Sequence, residues 1–143
     1  MDSTVETIIV DNNGCNDRSF TVLNLTRFVN LKVFEVGDYS FSYVNEVHMI
    51  GLPELERVMI GENSFSQYKG FFYANLSGEL YVKDCDKLRE LRIGESSFIN
   101  YVSCVIEDNS RLEVVEMGKL LRWWGYNFYY ASLEMKSCSD ETK

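Results

Sequence analysis

Leu55–Phe65 reads LERVMIGENSF, and the same frame returns on either side of it. Leu31–Phe41 is LKVFEVGDYSF and Leu88–Phe98 is LRELRIGESSF, so the shared pattern is LxxLxLGxxSF with apolar residues standing in for leucine. Val5–Cys15 (VETIIVDNNGC) fits more loosely, and Leu112–Gly118 (LEVVEMG) opens a fifth copy that then diverges. A second frame precedes these copies: Leu23/Leu25/Phe28, Val47/Met49/Leu52, Leu80/Val82/Cys85, Cys104/Ile106/Asn109 and Leu133/Met135/Cys138 all keep a spacing of two, then three. The steps Leu31 to Leu55, Leu55 to Leu88 and Leu88 to Leu112 are 24, 33 and 24 residues, so the base period is 24 with nine residues inserted once. A period of this length marks a solenoid, in which each coil buries its faces against its neighbours.

The physics of one copy follows from its alternation. Val58-Met-Ile60 and Leu91-Arg-Ile93 alternate apolar and outward residues, as do Val47-His-Met49 and Leu80-Tyr-Val82, which is the pattern of strands buried on one face. The expected architecture is mainly β: a solenoid of about five 24-residue coils, two short parallel strands per coil, two parallel sheets, and little or no helix. Gly37, Gly61, Gly94 and Gly118 follow the first strand, where a residue without a side chain permits a bend or a positive φ. Phe41, Phe65 and Phe98 come four residues later and should stack as an aromatic spine in the core.

The frame LxxLxLxxNxL, carried best by Leu55-Val58-Ile60-Asn63-Phe65 and Val5-Ile8-Val10-Asn13-Cys15, resembles the leucine-rich repeat. The recurrent IGxxSF, with a second strand in place of a convex helix, is most similar to the BspA-like branch, and the resemblance covers residues 5–138. It implies a fold that binds macromolecules, mainly proteins, in a surface or adhesive setting, with the full-length protein secreted or at the cell surface. The asparagine position departs from the family pattern, since it holds Asn13, Tyr39, Asn63 and Ser96. Ser40, Ser64 and Ser97 stand one residue on and are the alternative partners for the turn.

The whole of residues 1–143 reads as one domain, with inserts at about 66–79 and 119–127 and a polar tail at 139–143. Fourteen Lys+Arg against 22 Asp+Glu give a net charge of −8, which argues against a nucleic-acid partner. No apolar run approaches the roughly 18 residues that cross a bilayer, and MDSTVETIIVDNN lacks a signal peptide's basic start. A soluble protein is expected from this, in a compartment the sequence does not name. No capping module is recognisable, so the chain reads as a segment of a longer array, or its ends are covered by its own tail or a second copy, with end-to-end self-association the corresponding expectation.

Candidate binding residues come from three places. Outward columns of the first strand hold Ile9, Glu35, Met59, Arg92, Glu116 and, beside them, Thr7, Val33, Arg57, Glu90, Val114. Their mixed signs suit ladder ion pairs on a solvated face; Glu35, Arg57, Met59 and Arg92 are also where a concave partner face would lie. Asp38, Glu62 and Glu95 form an acidic column at the turn, suited to solvation or to a basic partner surface, and one carboxylate per coil does not build a Ca²⁺ cage. Aromatic residues crowd the two irregular stretches, where Tyr68, Phe71, Phe72, Trp123 and Trp124 either anchor a partner or roof the core. Asn127-Phe128 would regain the Ser-Phe position and return Phe128 to the core.

No residue set names a reaction. Cys15, Cys85, Cys104 and Cys138 never share a column on adjacent coils, so four free, mostly buried thiols are expected. No CxxC or Cys/His spacing indicates a metal, no cofactor motif occurs, and the single histidine, His48, is outward on the second strand. Paired carboxylates such as Asp38 and Glu62 leave a β-solenoid carbohydrate-active enzyme as the remote alternative. The expected function is non-enzymatic recognition, mainly of protein, through the strand face and aromatic inserts. Its rival is a structural spacer within an adhesive array, with no site of its own.

Overall fold

Alternation along the sequence becomes alternation between two sheets. In chain order the strands are β1 (Thr7–Val10), β2 (Val22–Asn24), β3 (Val33–Val36), β4 (Glu46–Ile50), β5 (Arg57–Ile60), β6 (Gly78–Lys83), β7 (Glu90–Ile93), β8 (Tyr101–Glu107), β9 (Val114–Glu116) and β10 (Ser132–Lys136). The computed structural model describes residues 4–66, 78–99 and 101–118, and the backbone of 132–136. Odd-numbered strands form one sheet in the order β1-β3-β5-β7-β9, and even-numbered strands form the other, β10-β8-β6-β4-β2. Every pairing is parallel. One odd and one even strand make a unit, and the chain builds five of them. Among the described residues there is no helix, and so none long and apolar enough to cross a membrane.

Register reproduces the sequence frames column by column. Phe34, Val58 and Leu91 lie beside one another in the first sheet, and Leu23, Val47, Leu80 and Cys104 in the second. All of these are buried, and together with Met49, Val82 and Ile106 they fill the space between the sheets. Three phenylalanines run through this core: Phe41 stacks on Phe65 with centroids 4.8 Å apart and planes at 16°, and Phe65 on Phe98 at 4.6 Å and 6°. Parallel strands sit about 4.8 Å apart, so ring spacing and strand spacing coincide. Tyr101 closes the stack edge-on against Phe98 and donates its hydroxyl to the Val44 carbonyl at 2.6 Å. A Cβ on Gly78 would lie 2.3 Å from the Tyr101 ring, and the β6–β8 register shifts at Gly78/Glu79 to seat it.

The serines take the turn, in keeping with their position in the frame. Ser40, Ser64 and Ser97 are buried, and their hydroxyls donate to the carbonyls of Asp11 (2.9 Å), Gly37 (2.7 Å) and Gly61 (2.7 Å) in the preceding unit. Each hydroxyl also accepts a backbone N–H from that unit: Gly14, Ser40 and Ser64, at 3.1, 3.1 and 3.0 Å. Amides perform this kind of service at both turns: at the first, Asn16 donates to the Tyr39 carbonyl at 2.9 Å and accepts the Ser42 N–H at 2.8 Å. Buried Asn109 accepts from the Cys85 N–H at 3.0 Å and donates to the Val82 carbonyl at 2.9 Å.

The glycines correct their expectation. None of Gly37, Gly61, Gly94 and Gly118 has a positive φ; Gly51 does, at 64°. Left-handed backbone falls instead on Asn13, Tyr39, Asn63 and Ser96 and on Cys15, Phe41, Phe65 and Phe98, with φ between 54° and 62°. The four glycines are needed because the preceding unit passes too close for a Cβ. On Gly94 that atom would sit 2.6 Å from the Gly61 carbonyl carbon, and on Gly118 2.4 Å from the Glu95 Cα.

Candidate recognition face

The outward side of the first sheet is built from the two columns read in the sequence. Thr7, Val33, Arg57, Glu90 and Val114 are register partners, as are Ile9, Glu35, Met59, Arg92 and Glu116. The strand pleat puts these side chains out because their neighbours Phe34, Val58 and Leu91 are drawn into the core. Glu35 lies 3.8 Å from Arg57, whose guanidinium also reaches the Met59 sulfur at 3.5 Å. Arg92 forks between Glu90 at 3.1 Å and Glu116 at 2.9 Å. Glu90 and then Glu116 hold Arg92 still more firmly in its charged form.

A third column, which the sequence frames do not single out, leads into the strands. Glu6, Lys32, Glu56, Arg89 and Glu113 are linked in turn by N–H to carbonyl bonds, so they stand one above another. Their signs alternate along the whole column. Lys32 pairs with Glu6 at 3.2 Å and Arg89 with Glu113 at 3.3 Å. Such exposed pairs are worth about 0–1 kcal/mol each and weaken in salt. The charge pattern is visible in the sequence at the residue after each opening apolar position.

The acidic column runs along the far end of the same strands. Asp38 Oδ1 accepts the Glu62 N–H at 2.8 Å, just as Asn12 Oδ1 accepts the Asp38 N–H at 2.7 Å. Asp38 therefore has a structural partner in the next unit, while Glu62 is exposed and Glu95 half-buried. Among the described residues none of the three forms an ion pair. Tyr39, 56% exposed, stands between Asn13 and Asn63 on this edge. The aromatic candidates Tyr68, Phe71, Phe72, Trp123 and Trp124, together with Phe128, lie outside the described residues.

The second sheet also shows a patterned outer face. His48 stacks on Tyr81 with centroids 5.4 Å apart and planes at 12°, and its Nε2 is 3.3 Å from Glu46. Burial, and then neighbouring Glu79, push the Tyr81 hydroxyl above the ordinary tyrosine range. His48 is outward, as its alternation requires. Its pairing with Tyr81 is an addition to the sequence reading, although each directly follows the residue that opens its frame, Val47 and Leu80.

Three thiols are described, Cys15, Cys85 and Cys104, and all are free, while Cys138 lies outside the described residues. Cys85 and Cys104 are buried, and Cys15 is the exposed one of the three: it occupies the phenylalanine position of the first unit and has no earlier ring to stack on. Burial pushes Cys85 up to about 11 and Cys104 up to about 12. At pH 8 a thiol reagent should therefore modify Cys15 quickly and reach Cys85 and Cys104 only on unfolding, as peptide mapping would show. Comparable labelling of all three in the native state would contradict this burial. Since both folded values lie above the unfolded one, the stability they confer is full below about pH 8.5 and falls as pH rises toward 11 and 12.

Among the described residues no group of three or more His, Cys, Asp or Glu side chains is placed to hold a metal ion. A scan against protein-family models matches none, and neither curated proteins nor solved structures give a match.

Proposed function

We propose that the five units form a leucine-rich-repeat solenoid of the BspA-like kind, and that it is a non-enzymatic recognition module for another protein. The observation that carries this reading is the register of the first sheet. Five parallel strands hold Glu35, Arg57, Met59 and Arg92 in fixed columns on one face, backed by buried Phe34, Val58 and Leu91. A rigid array of charged and apolar side chains loses little conformational freedom on binding, which favours recognition. Asp38, Glu62 and Glu95 border that face and would speed the approach of a partner with a basic rim. The two aromatic stretches are the remaining candidates for anchors.

One observation favours the spacer reading: the charges on the face are largely paired with one another already. The two readings separate in a cross-linking capture made with the wild type, a Glu35→Lys/Glu62→Lys variant, and one that also carries Met59→Glu. Recognition predicts a specific captured protein whose yield falls at least tenfold in the variants, with circular dichroism and Tm unchanged. Capture that is indifferent to all three substitutions would overturn the strand face as the site.

A further inference from the structure

Among the described residues, three columns of the first turn dock a unit on the one before it, all three of them in the third and fourth units. Glycine admits the preceding backbone: a Cβ on Gly37 would lie 2.7 Å from the Asn12 nitrogen, and one on Gly61 2.7 Å from the Gly37 carbonyl carbon. Serine reaches back to the preceding carbonyl, as Ser64 does to Gly37. Phenylalanine stacks on the preceding ring, as Phe65 does on Phe41.

The first unit keeps what its successor needs and lacks all three groups on its other side. In its glycine column stands Asp11, in its serine column Gly14, and in its phenylalanine column Cys15. The Asp11 carbonyl still accepts the Ser40 hydroxyl at 2.9 Å, and Gly14 still serves the second unit through its N–H to Ser40 Oγ and its carbonyl to the Phe41 N–H. What has changed faces away from the array. In the later units the missing Cβ of the glycine column points at the preceding backbone, so the Cβ of Asp11, which is exposed, points out of this edge.

We infer that the first unit is closed to any further unit stacked in the repeat's own register, and that Asp11 is the obstruction. A backbone approaching as the other units do would meet the Asp11 Cβ inside van der Waals contact and a carboxylate beyond it. A second copy of the chain therefore does not lengthen the two sheets from β1 and β2, although both are edge strands with half-buried Val5, Ile8, Val10, Phe20 and Phe28 behind them. A charged side chain on an otherwise sticky edge is a recognised guard against strand addition. This inference concerns the edge alone and is independent of what the strand face binds.

The test supplies the missing unit. Residues 31–54, one full period, are duplicated between Thr4 and Val5 of the complete chain, which keeps the repeat frame. With Asp11 in place, the added segment should exchange its amides as unfolded chain and leave Tm unchanged. With Asp11→Gly the added amides should become protected and Tm should rise by several degrees. Asp11→Ala, which removes the charge and keeps the Cβ, should still block. Protection of the added unit beside an intact Asp11 would overturn the inference. So would unprotected added amides in the Asp11→Gly chain, with circular dichroism of the same substitution in the original-length chain reporting its fold.

Discussion

Replacing Phe65 by alanine should lower the unfolding free energy by about 3–5 kcal/mol, the range for deleting a buried aromatic side chain. Phe65 is 1% exposed and is sandwiched between Phe41 and Phe98. Truncation therefore leaves a cavity with two ring faces looking into it, and two stacked contacts of about 0.5–1.5 kcal/mol each disappear with it. The alanine would also inherit a φ of 54°, which the phenylalanine tolerates because its ring is anchored. A drop in Tm of about 10 °C or more is the expected reading. Phe65→Leu, which keeps most of the volume, should cost markedly less. A melting curve unmoved by Phe65→Ala would mean that the spine carries no stability.

Gly94→Ala should be nearly as damaging, at about 3 kcal/mol, although it adds a single methyl group. The three nearest atoms to that methyl are the Gly61 carbonyl carbon and oxygen, both at 2.6 Å, and the Glu62 nitrogen at 2.8 Å. All are backbone, so no side chain can swing aside, and the two units must part. Gly51→Ala is the matched control: nothing lies within 4 Å of its Cβ, but its φ is 64°. Its cost should be conformational only, roughly 1–2 kcal/mol. Urea unfolding of the two variants distinguishes crowding from backbone strain, and equal losses would refute the distinction.

Sequence spacing predicts the register because a parallel repeat has little freedom. Once Leu31, Leu55 and Leu88 are aligned, Glu35, Met59 and Arg92 must share a column, and the nine inserted residues do not disturb it. Causes are harder to read than positions. A recurrent glycine says that a Cβ is forbidden, and it does so equally for a left-handed backbone or a close neighbour; only the stacked units show that the neighbour decides. Phenylalanine is an unexpected residue for left-handed backbone, and it adopts it here because burial of the ring outweighs the local preference. Asn109 reads in sequence as one more core position, since its column holds Phe28, Leu52 and Cys85, yet its amide supplies both bonds that the turn requires. Tyr101 over Gly78 is illegible in sequence, because their contact depends on how the longer third repeat rejoins the sheet. The outward columns of the first sheet can be drawn from the sequence in the same way.

The column Glu6, Lys32, Glu56, Arg89, Glu113 carries an arithmetic of its own. Opposite signs meet at every step, so the array has a parity. Losing one internal unit would bring like charges together, Lys32 against Arg89 if the third unit went. Losing two neighbouring units would restore the alternation. The energies are small, about 0.2–1 kcal/mol per contact, and salt would mute them. They nonetheless favour, among arrays built on this column, those that differ in length by an even number of units.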